Sequence, residues 1–234
     1  ALNGNVGDGA GEIGILSVTA SGDTTFNGQV TVAHLETGSS GTTTFNVASV
    51  TTTSRSSMVF GNDVVIAVPT FTFDTTNGGA FAAGANISFG QTLSGSSQII
   101  LQAGTAGTVT FMGAVGKDAS SASSPLSGLT VSAGGGIVIS GGYIHTTGTQ
   151  TYNDPVTLSA SASLKGGQLT WGSLTATAPN VGLTLVSQGA QELANVSLTG
   201  NLDITTGGAG LVGGISQAIN SKLIVEGTST FTAD

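Results

Sequence analysis

The residues of this sequence that could do chemistry are few and lie far apart along the chain. Histidine occurs only at His34 and His145, and cysteine is absent, which excludes disulfides and thiolate metal sites. A zinc site takes about three to four protein ligands. Glu36 lies beside His34, but neither histidine has a second histidine nearby in sequence. We predict histidines that face solvent or form local hydrogen bonds, and no metal ion or cofactor.

The acidic side chains are the other candidates for catalysis. Glycosidases place two carboxylates on either side of the bond that they cleave. The twelve acids of this chain are widely dispersed. Stacking of repeats could bring Asp63 and Asp74 together, but no acid pair is evident in the sequence itself. We therefore predict no catalytic residues and no enzymatic activity.

Two glycine-rich segments are partly similar to the Gly-Gly-x-Gly-x-Asp repeat of calcium-binding β-rolls. Residues 207–212 have valine where the acid would stand, which favours a simple turn. Residues 8–12 read Asp-Gly-Ala-Gly-Glu, but this candidate occurs as a single copy. We predict a turn at 207–212, and residues 8–12 stay a single-copy calcium candidate.

Threonine rows at 42–44, 51–53 and 146–147 resemble the threonine ladders of ice-binding solenoids. An ice-binding face needs every threonine in register with its neighbour, because a slip of one residue moves the side chain to the opposite face. The loose spacing of these rows argues against such a face.

Aromatic residues recur in one local pattern, in which strand-forming residues precede the ring and asparagine or glycine usually follows it. Their spacing is about 20 residues with irregular steps, a range typical of solenoid repeats. We predict that the rings align along one face, either as a buried stack or as a carbohydrate-binding stripe. Phenylalanine, which has no polar group, favours the buried stack. The copies contain Phe26, Phe45, Phe60, Phe89, Phe111, Tyr152 and Trp171.

Three of these aromatic copies carry an asparagine directly after the ring, at Asn27, Asn46 and Asn153. We predict that these amides form a ladder or hold the corner turns. Tyr152 and Trp171 are the two rings whose exposure would support carbohydrate binding, because each has a polar group as well as an apolar body.

The composition indicates an ordered chain that is rich in strands and turns. Glycine accounts for 38 of 234 residues, hydrophobic residues for 38% and charged residues for 7%. Disordered chains combine low hydrophobicity with high charge, which is the opposite balance. Apolar runs such as 64–68 and 137–139 have strand length and polar boundaries. The best candidate for a helix is the short segment 214–222.

We predict an all-β fold, a parallel β-solenoid with about 20 residues per coil and roughly eleven coils. Each coil is too small to bury its apolar side chains, whereas a stack of coils buries them against their neighbours. Two segments, 119–125 and 207–214, interrupt the pattern and are predicted to be loops. Similar repeats follow both, so residues 1–234 are predicted to be a single solenoid segment.

The charge pattern argues against two classes of partner. The net charge is −8, and no basic cluster is available for nucleic acid or for an anionic membrane. No apolar run reaches the about 18 residues of a membrane span. The polar first residues do not form a signal peptide, and we predict a fragment of a longer repetitive chain. The basic residues are isolated in sequence, at Arg55, Lys117, Lys165 and Lys222.

The segments 128–137 and 146–158 resemble the repeats of filamentous-haemagglutinin-like bacterial exoproteins. Their recurring sequence motif is roughly Thr-Gly-x-Gln-x-Tyr-Asn-x-x-Val-x-Leu. Residues 22–32 and 227–233 are similar to this motif. The resemblance implies a right-handed parallel β-helix that forms the shaft of a large protein at the bacterial surface or secreted from it. The Asn-Pro motifs of the family's secretion domain and an Arg-Gly-Asp tripeptide are both absent from the sequence.

Two functions follow as hypotheses. The first is a non-catalytic structural and adhesive shaft segment. Its partners would be adjoining repeats of the same chain, further copies packed end to end or side by side, and a receptor or glycan on a host surface or matrix. The second is a carbohydrate-binding or carbohydrate-active β-helix, which predicts a groove lined by Trp171, Tyr152 or clustered acids.

Overall fold

The computed structural model describes residues 1–7, 13–117, 123–207 and 213–233. All of the regular structure in these residues is β-strand, in pieces of two to eight residues. The strands are β1 (Ile13–Val18), β2 (Thr24–Phe26), β3 (Val30–Thr37), β4 (Thr42–Phe45), β5 (Ser49–Thr52), β6 (Met58–Phe60), β7 (Asp63–Ile66), β8 (Thr70–Asp74), β9 (Ile87–Phe89), β10 (Leu93–Ser94), β11 (Gln98–Gly104), β12 (Val109–Phe111), β13 (Gly128–Ala133), β14 (Ile137–Ile139), β15 (Tyr143–His145), β16 (Gln150–Tyr152), β17 (Val156–Leu158), β18 (Ala162–Gly166), β19 (Leu169–Trp171), β20 (Ser173–Ala176), β21 (Leu183–Ser187), β22 (Gln191–Leu193), β23 (Asn195–Leu198), β24 (Leu202–Thr206), β25 (Ile215–Gln217), β26 (Leu223–Val225) and β27 (Ser229–Ala233).

A sheet of sixteen parallel strands is the largest unit of the fold. Its two arms meet at the long strand β3, which pairs with β5 through residues 30–32 and with β6 through residues 35–37. The first arm continues through β8, β11, β13 and β16 to β19, and the second through β9, β12, β14, β17, β20 and β23 to β26. The prediction of an all-β fold with parallel strands is confirmed.

A second column of strands runs beside the two arms. It consists of a four-stranded sheet, β2-β4-β7-β10, and a five-stranded sheet, β15-β18-β21-β24-β27. Val115 links these two sheets by parallel bridges to Leu93 and Ile144. From β5 to β21 the chain visits the first arm, the second arm and this column in fixed rotation.

Most paired positions recur at similar separations in sequence. Phe45 pairs with Phe26, and Leu185 pairs with Leu164. Both steps are close to the spacing of about 20 residues anticipated from solenoid repeats. The step from Val64 to its partner Leu93 is longer, because a turn-rich segment at 75–86 separates β8 from β9. The anticipated spacing therefore describes most steps. The insertion at 75–86 lengthens the steps that span it, and other long steps, such as Val196 to Leu223, lie elsewhere in the chain.

The aromatic residues fall in three columns, and the prediction that they align along one face is wrong. Phe26 and Phe45 lie in the four-stranded sheet, whereas Phe60 lies in the second arm. Tyr152 pairs with Trp171 in the first arm. The same local pattern serves all three columns because each strand buries alternate side chains, whichever column it joins. The 15 residues from Phe45 to Phe60 thus separate two different columns, and this spacing is not the length of a repeat.

The three columns share one apolar interior. The ring of Phe45 lies 5.3 Å from that of Phe71 in the first arm and 6.0 Å from that of Phe60 in the second arm, measured between centroids. Phe60 in turn stacks on Phe89 at 5.2 Å and contacts Phe73 at 5.2 Å. Each of these side chains is at most 1% exposed, so the rings of the three columns are buried against one another.

Asparagine and aspartate side chains in the turns between strands join successive levels of the fold. We call one passage of the chain through the three columns a level, and the turn between two columns a corner. The amide of Asn27 donates to Asn3 at 2.7 Å, and that of Asn46 donates to Asn27 at 2.6 Å, which confirms an amide ladder at these positions. Asn153 lies outside this ladder and donates to the Ser132 hydroxyl at 2.8 Å. Elsewhere a side-chain oxygen accepts a backbone N–H from the next level, as Asp23 does from Thr42 at 2.9 Å. These bonds satisfy backbone donors where the ladder is interrupted.

Two further predictions concern the C-terminal part of the chain and the interrupting loops. The helix candidate 214–222 is wrong, because residues 215–217 form β25 and a turn follows. Most of the loop segments 119–125 and 207–214 lies outside the described residues. No helix among the described residues is long and apolar enough to cross a membrane.

Candidate functional site

His34 and Glu36 form a local pair on the outside of β3. Their side chains approach to 3.7 Å, and about half of Glu36 is exposed. A hydrogen bond from Ser17 and the nearby imidazole lower the pKa of Glu36. No group of three metal-binding side chains occurs in the described part of the chain. His34 therefore has a local acidic partner in Glu36.

His145 lies in a cluster of polar groups that the sequence does not place together. The Tyr143 hydroxyl lies 3.1 Å from its Nδ1 atom, and the Lys117 ammonium lies 4.1 Å from the centre of the Tyr143 ring. Lys165 stands beside His145 on the neighbouring strand. Burial and the charge of Lys165 lower the pKa of His145. Two of the four basic residues, isolated in sequence, thus share one surface.

The acids Asp63 and Asp74 lie on strands of different sheets, and each makes its own hydrogen bonds. Asp63 accepts hydrogen bonds from the backbone and hydroxyl of Thr92, at the start of the next level. Asp74 is 7% exposed, and its two oxygens accept bonds from Thr76 and Gly78 at 2.6 to 2.7 Å. Both carboxylates hold turns. The calcium candidate at 8–12 lies outside the residues that the structure describes.

Tyr152 and Trp171, the two rings whose exposure would support a carbohydrate-binding stripe, are both buried. Tyr152 is 2% exposed and Trp171 is 7% exposed. Both rings point into the interior of the first arm, so neither face is open for stacking on a sugar. Core packing, which the sequence favours, is the role that the structure gives these rings.

The threonine row at 42–44 does not continue across its sheet, since Thr44 pairs with Thr25 on one side but with Val65 on the other. In the first arm, Thr130, Thr151 and Thr170 pair in succession.

Tyr152 and Gln150 form a polar pair inside the core. The phenol donates to the Gln150 Oε1 atom at 2.9 Å, and the Gln150 Nε2 atom donates to the Lys165 carbonyl at 2.7 Å. Gln150 is fully buried. Burial raises the pKa of the Tyr152 phenol far above its ordinary value, because a phenolate in this apolar setting would lose its hydration.

We expect the free energy of unfolding to fall above pH 10 by a contribution that depends on Tyr152. Since the folded-state pKa is raised, this contribution is complete below the unfolded-state pKa of about 10 and is lost at about 1.4 kcal/mol per pH unit above it. Urea unfolding at pH 8, 10 and 11 measures the loss. Tyr152→Phe should weaken the protein by about 1 kcal/mol at pH 8 but flatten its decline at high pH. Parallel declines in the two proteins would contradict the assignment.

The ladder of the first arm stops between β19 and β22. β19 pairs with β16, and β22 pairs with β25, but the described residues contain no ladder between β19 and β22. The Gln191 side chain bridges the two strands instead. Its amide accepts from the Leu169 N–H at 3.2 Å and donates to the Leu169 carbonyl at 2.6 Å. A side-chain amide thus takes the two bonds that a neighbouring strand would make.

A groove of about 220 Å³ opens at this interruption. Its walls are the two strand ends and the turn after β25. Within the described residues, the Trp171 Nε1–H is one of two buried side-chain polar groups without a hydrogen-bond partner. Burying such a donor unpaired costs about 1–3 kcal/mol. The groove is lined by Gln168, Leu169, Thr170, Trp171, Glu192, Ala194 and Ala218.

Sequence reasoning singles out Trp171 but not the residues that surround it. In the sequence, Gln191 is only a polar residue at a position where the alternation of the strand predicts an apolar one. Glu192 and Leu193 follow it. In the sequence, Glu192 is one of twelve dispersed acids. Only the stacking of successive levels brings these side chains together at one groove.

Comparison with known proteins does not assign the chain to a family. No family model, no curated protein and no solved structure matches the chain. The resemblance to filamentous-haemagglutinin-like exoproteins therefore stays a prediction from the repeated sequence motif.

Proposed function

We propose that the chain is a right-handed parallel β-helix and a shaft segment of a large bacterial exoprotein, similar to the filamentous-haemagglutinin-like adhesins. In this arrangement the two arms and the strand column are the three faces of one closed coil. The protein would stand at the cell surface or be secreted, and its role would be structural and adhesive, without catalysis.

The fixed rotation of the chain through the three columns is the observation that carries this proposal. At most levels the chain returns to the same column after about 20 residues, always in parallel, and such a chain builds a rod whose length grows with the number of coils. The rings of Phe45, Phe60 and Phe71 meet from the three columns, which supports closure around a common core. Such a rod is suited to act as a spacer.

The partners proposed for the shaft follow from its two ends. Ile15 at one end is 69% exposed, and Phe231 at the other is 48% exposed. Adjoining repeats of the same chain, or further copies stacked end to end, would pair with these outer strands and cover their apolar side chains. A receptor or glycan of a host surface or matrix would contact the sides of the rod.

Deletion of one complete coil tests the architecture. Removing residues 150–168 deletes β16, β17 and β18 and places β19 on β13 in the existing register. We expect a folded protein whose rod, measured by small-angle X-ray scattering, is shorter by about 4.8 Å. Removing residues 150–158 alone breaks the rotation and should unfold the C-terminal half. Equal tolerance of both deletions, judged by circular dichroism, would contradict a closed coil.

The location of the protein is tested separately. We expect antibodies against this segment to label intact cells of the source organism or to detect the protein in the culture medium. Labelling that requires permeabilised cells would overturn the proposed exoprotein role and leave the architecture untouched.

The binding form of the second hypothesis has one observation in its favour, the groove that contains Trp171 and Glu192. The catalytic form predicts an acid pair, but Asp63 and Asp74, the pair considered from the sequence, each make separate hydrogen bonds.

A further inference from the structure

The strand column is thinnest where its four-stranded sheet meets its five-stranded sheet. In the described part of the chain no ladder joins these two sheets, and the bridges between them run through Val115, to Leu93 on one side and to Ile144 on the other. At the same level the two arms are continuous, because β11 pairs with β13 and β12 pairs with β14. Opening of the column at Val115 would therefore leave both arms paired.

Few backbone hydrogen bonds hold this junction. The Val115 N–H donates to the Tyr143 carbonyl at 2.9 Å, and the His145 N–H donates to the Val115 carbonyl at 3.0 Å. On the other side, the Gly116 N–H donates to the Leu93 carbonyl at 2.8 Å. Local opening in proteins occurs where few such bonds hold a region, so the side chains beside Val115 decide how firmly the junction is closed.

The side chain of His145 connects the chain segments that meet at this junction. Its Nδ1 atom lies 3.1 Å from the Tyr143 hydroxyl and 3.4 Å from the Ser123 hydroxyl. Ser123 forms an antiparallel bridge with Lys117, two residues after Val115. A ring nitrogen of neutral imidazole that carries no hydrogen accepts a hydrogen bond, whereas both nitrogens of an imidazolium donate. Protonation of His145 would therefore remove the acceptor that the two hydroxyls share.

The charged side chains around His145 are cationic in the described part of the chain. Lys165 is its ladder partner on the neighbouring strand β18. The Lys117 ammonium lies 4.1 Å from the centre of the Tyr143 ring, whose centroid is 6.0 Å from that of the imidazole. Asp118, the acid next to Lys117 in sequence, lies outside the described residues. A third positive charge at this half-buried surface is therefore unfavourable while the junction is closed.

We infer that the Val115 junction is a pH-sensitive joint, closed while His145 is neutral and loosened in mildly acidic medium when the imidazole takes up a proton. The proton removes the shared acceptor and adds a charge beside two lysines, so the bridges of Val115 open while the ladders of the two arms hold. The strand column thereby gains a hinge between its two sheets. The inference does not rest on the shaft proposal, since the junction exists whether or not the chain belongs to a longer rod.

The direction of the pH effect follows from the pKa of His145. Burial and the charge of Lys165 hold this pKa below its ordinary value, and an imidazole freed by opening returns to a pKa of about 6.5. The closed junction is therefore fully favoured above a pH of about 6.5, and this advantage is lost as the pH falls through the lower pKa of the closed state. An imidazole that stays neutral until opening would raise the opening equilibrium by about thirtyfold between pH 7.5 and pH 5.

Amide hydrogen exchange of the 234-residue chain at pH 7.5 and pH 5 measures the opening. After correction for the intrinsic exchange rate, protection of the Val115 and His145 amides should be about three- to thirtyfold lower at pH 5. Amides of β13 and β14, in the two arms, should change by less than about twofold, because their ladders do not open with the joint. The ring signals of His145, followed by NMR, should give a titration midpoint below about 6.5.

Three variants assign the effect to His145. His145→Gln keeps an acceptor but cannot be protonated at these pH values, so protection of the Val115 amide should be equal at both. Lys165→Gln removes the neighbouring charge and should reduce the difference in protection between the two pH values. His34→Gln, the same change at the histidine that lies beside Glu36, is the matched control and should keep the full response. Circular dichroism confirms that each variant is folded.

Four results would overturn the inference. The first is equal protection of the Val115 amide at the two pH values in the unchanged protein. The second is a response that persists in His145→Gln or disappears in Asp118→Asn, which would assign the proton to another group. The third is an equal loss of protection in β13 and β14, which would mean general unfolding by acid. The fourth, which needs no variant, is a titration midpoint of the His145 ring at or above about 6.5.

None of these results bears on the coil deletions, which are compared at neutral pH. The shaft proposal therefore stands or falls separately.

Discussion

Replacing Phe45 with alanine is expected to lower the free energy of unfolding by about 3–5 kcal/mol. The side chain is fully buried. Its ring stacks on Phe26 with centroids 5.1 Å apart and contacts the rings of Phe60, Phe71 and Phe73 at 5.3 to 6.0 Å. Alanine leaves a cavity among four rings that belong to three strand columns, so no single strand can move to fill it.

Phe231→Ala is the matched control for this prediction. Phe231 lies on the outer strand β27 and is 48% exposed, so its loss should cost less than about 1 kcal/mol. Urea unfolding followed by circular dichroism compares the two variants. Because stacked repeats unfold in parts, hydrogen exchange should show greater opening around Phe26 and Phe73 than in β21 in the Phe45 variant. Equal costs for the two alanines would mean that the three columns do not share a core.

Replacing Gly84 with alanine is expected to cost about 2–5 kcal/mol, the sum of a left-handed backbone and a steric overlap. Gly84 has a φ of +59°, and a Cβ placed on it would overlap the carbonyl oxygen of Ala103. It lies near the end of the inserted segment 75–86, where the backbone of this segment lies directly against the next level. The segment begins after Asp74, whose carboxylate accepts the Thr76 N–H.

Gly78→Ala separates the two causes. Gly78 lies in the same segment with a φ of +65°, but no atom lies within 4 Å of the position of its Cβ. Its replacement should therefore cost only the backbone strain, about 1–2 kcal/mol. The measured quantity is the free energy of unfolding in urea for both variants. A cost for Gly84→Ala no greater than that for Gly78→Ala would show that the packing of this segment on Ala103 contributes nothing.

The class of fold could be predicted from the sequence because its signal is local. Alternation of apolar and polar residues in short runs, such as Val156-Thr157-Leu158, predicts which side chains are buried, and Val156 and Leu158 are buried as expected. Glycine and asparagine between these runs mark the corners. The amide ladder at Asn27 and Asn46 follows from the same local pattern, because equivalent corners stack on one another.

The register of the aromatic residues could not be predicted in the same way. Phe45 and Phe60 share the same local pattern of strand-forming residues before the ring and asparagine or glycine after it. Yet Phe45 belongs to the four-stranded sheet and Phe60 to the second arm. A pattern with a period of two residues tells which side of a strand is buried but not which column the strand joins. The insertion at 75–86 makes the column of the following strands still harder to predict, because it lengthens the step from Val64 to its partner Leu93.

The sequence by itself determined the chemistry that the chain can offer: two histidines, four basic residues, no cysteine and a single tryptophan. Only the tertiary structure decided where these groups stand. It buries Trp171 and Tyr152, brings Lys165 to His145 and Lys117 to Tyr143, and leaves a donor unpaired where Gln191 replaces a strand. The physical reason is that parallel stacking places residues about 20 apart in sequence within about 4.8 Å in space. Contacts between levels then depend on the length of every turn between them.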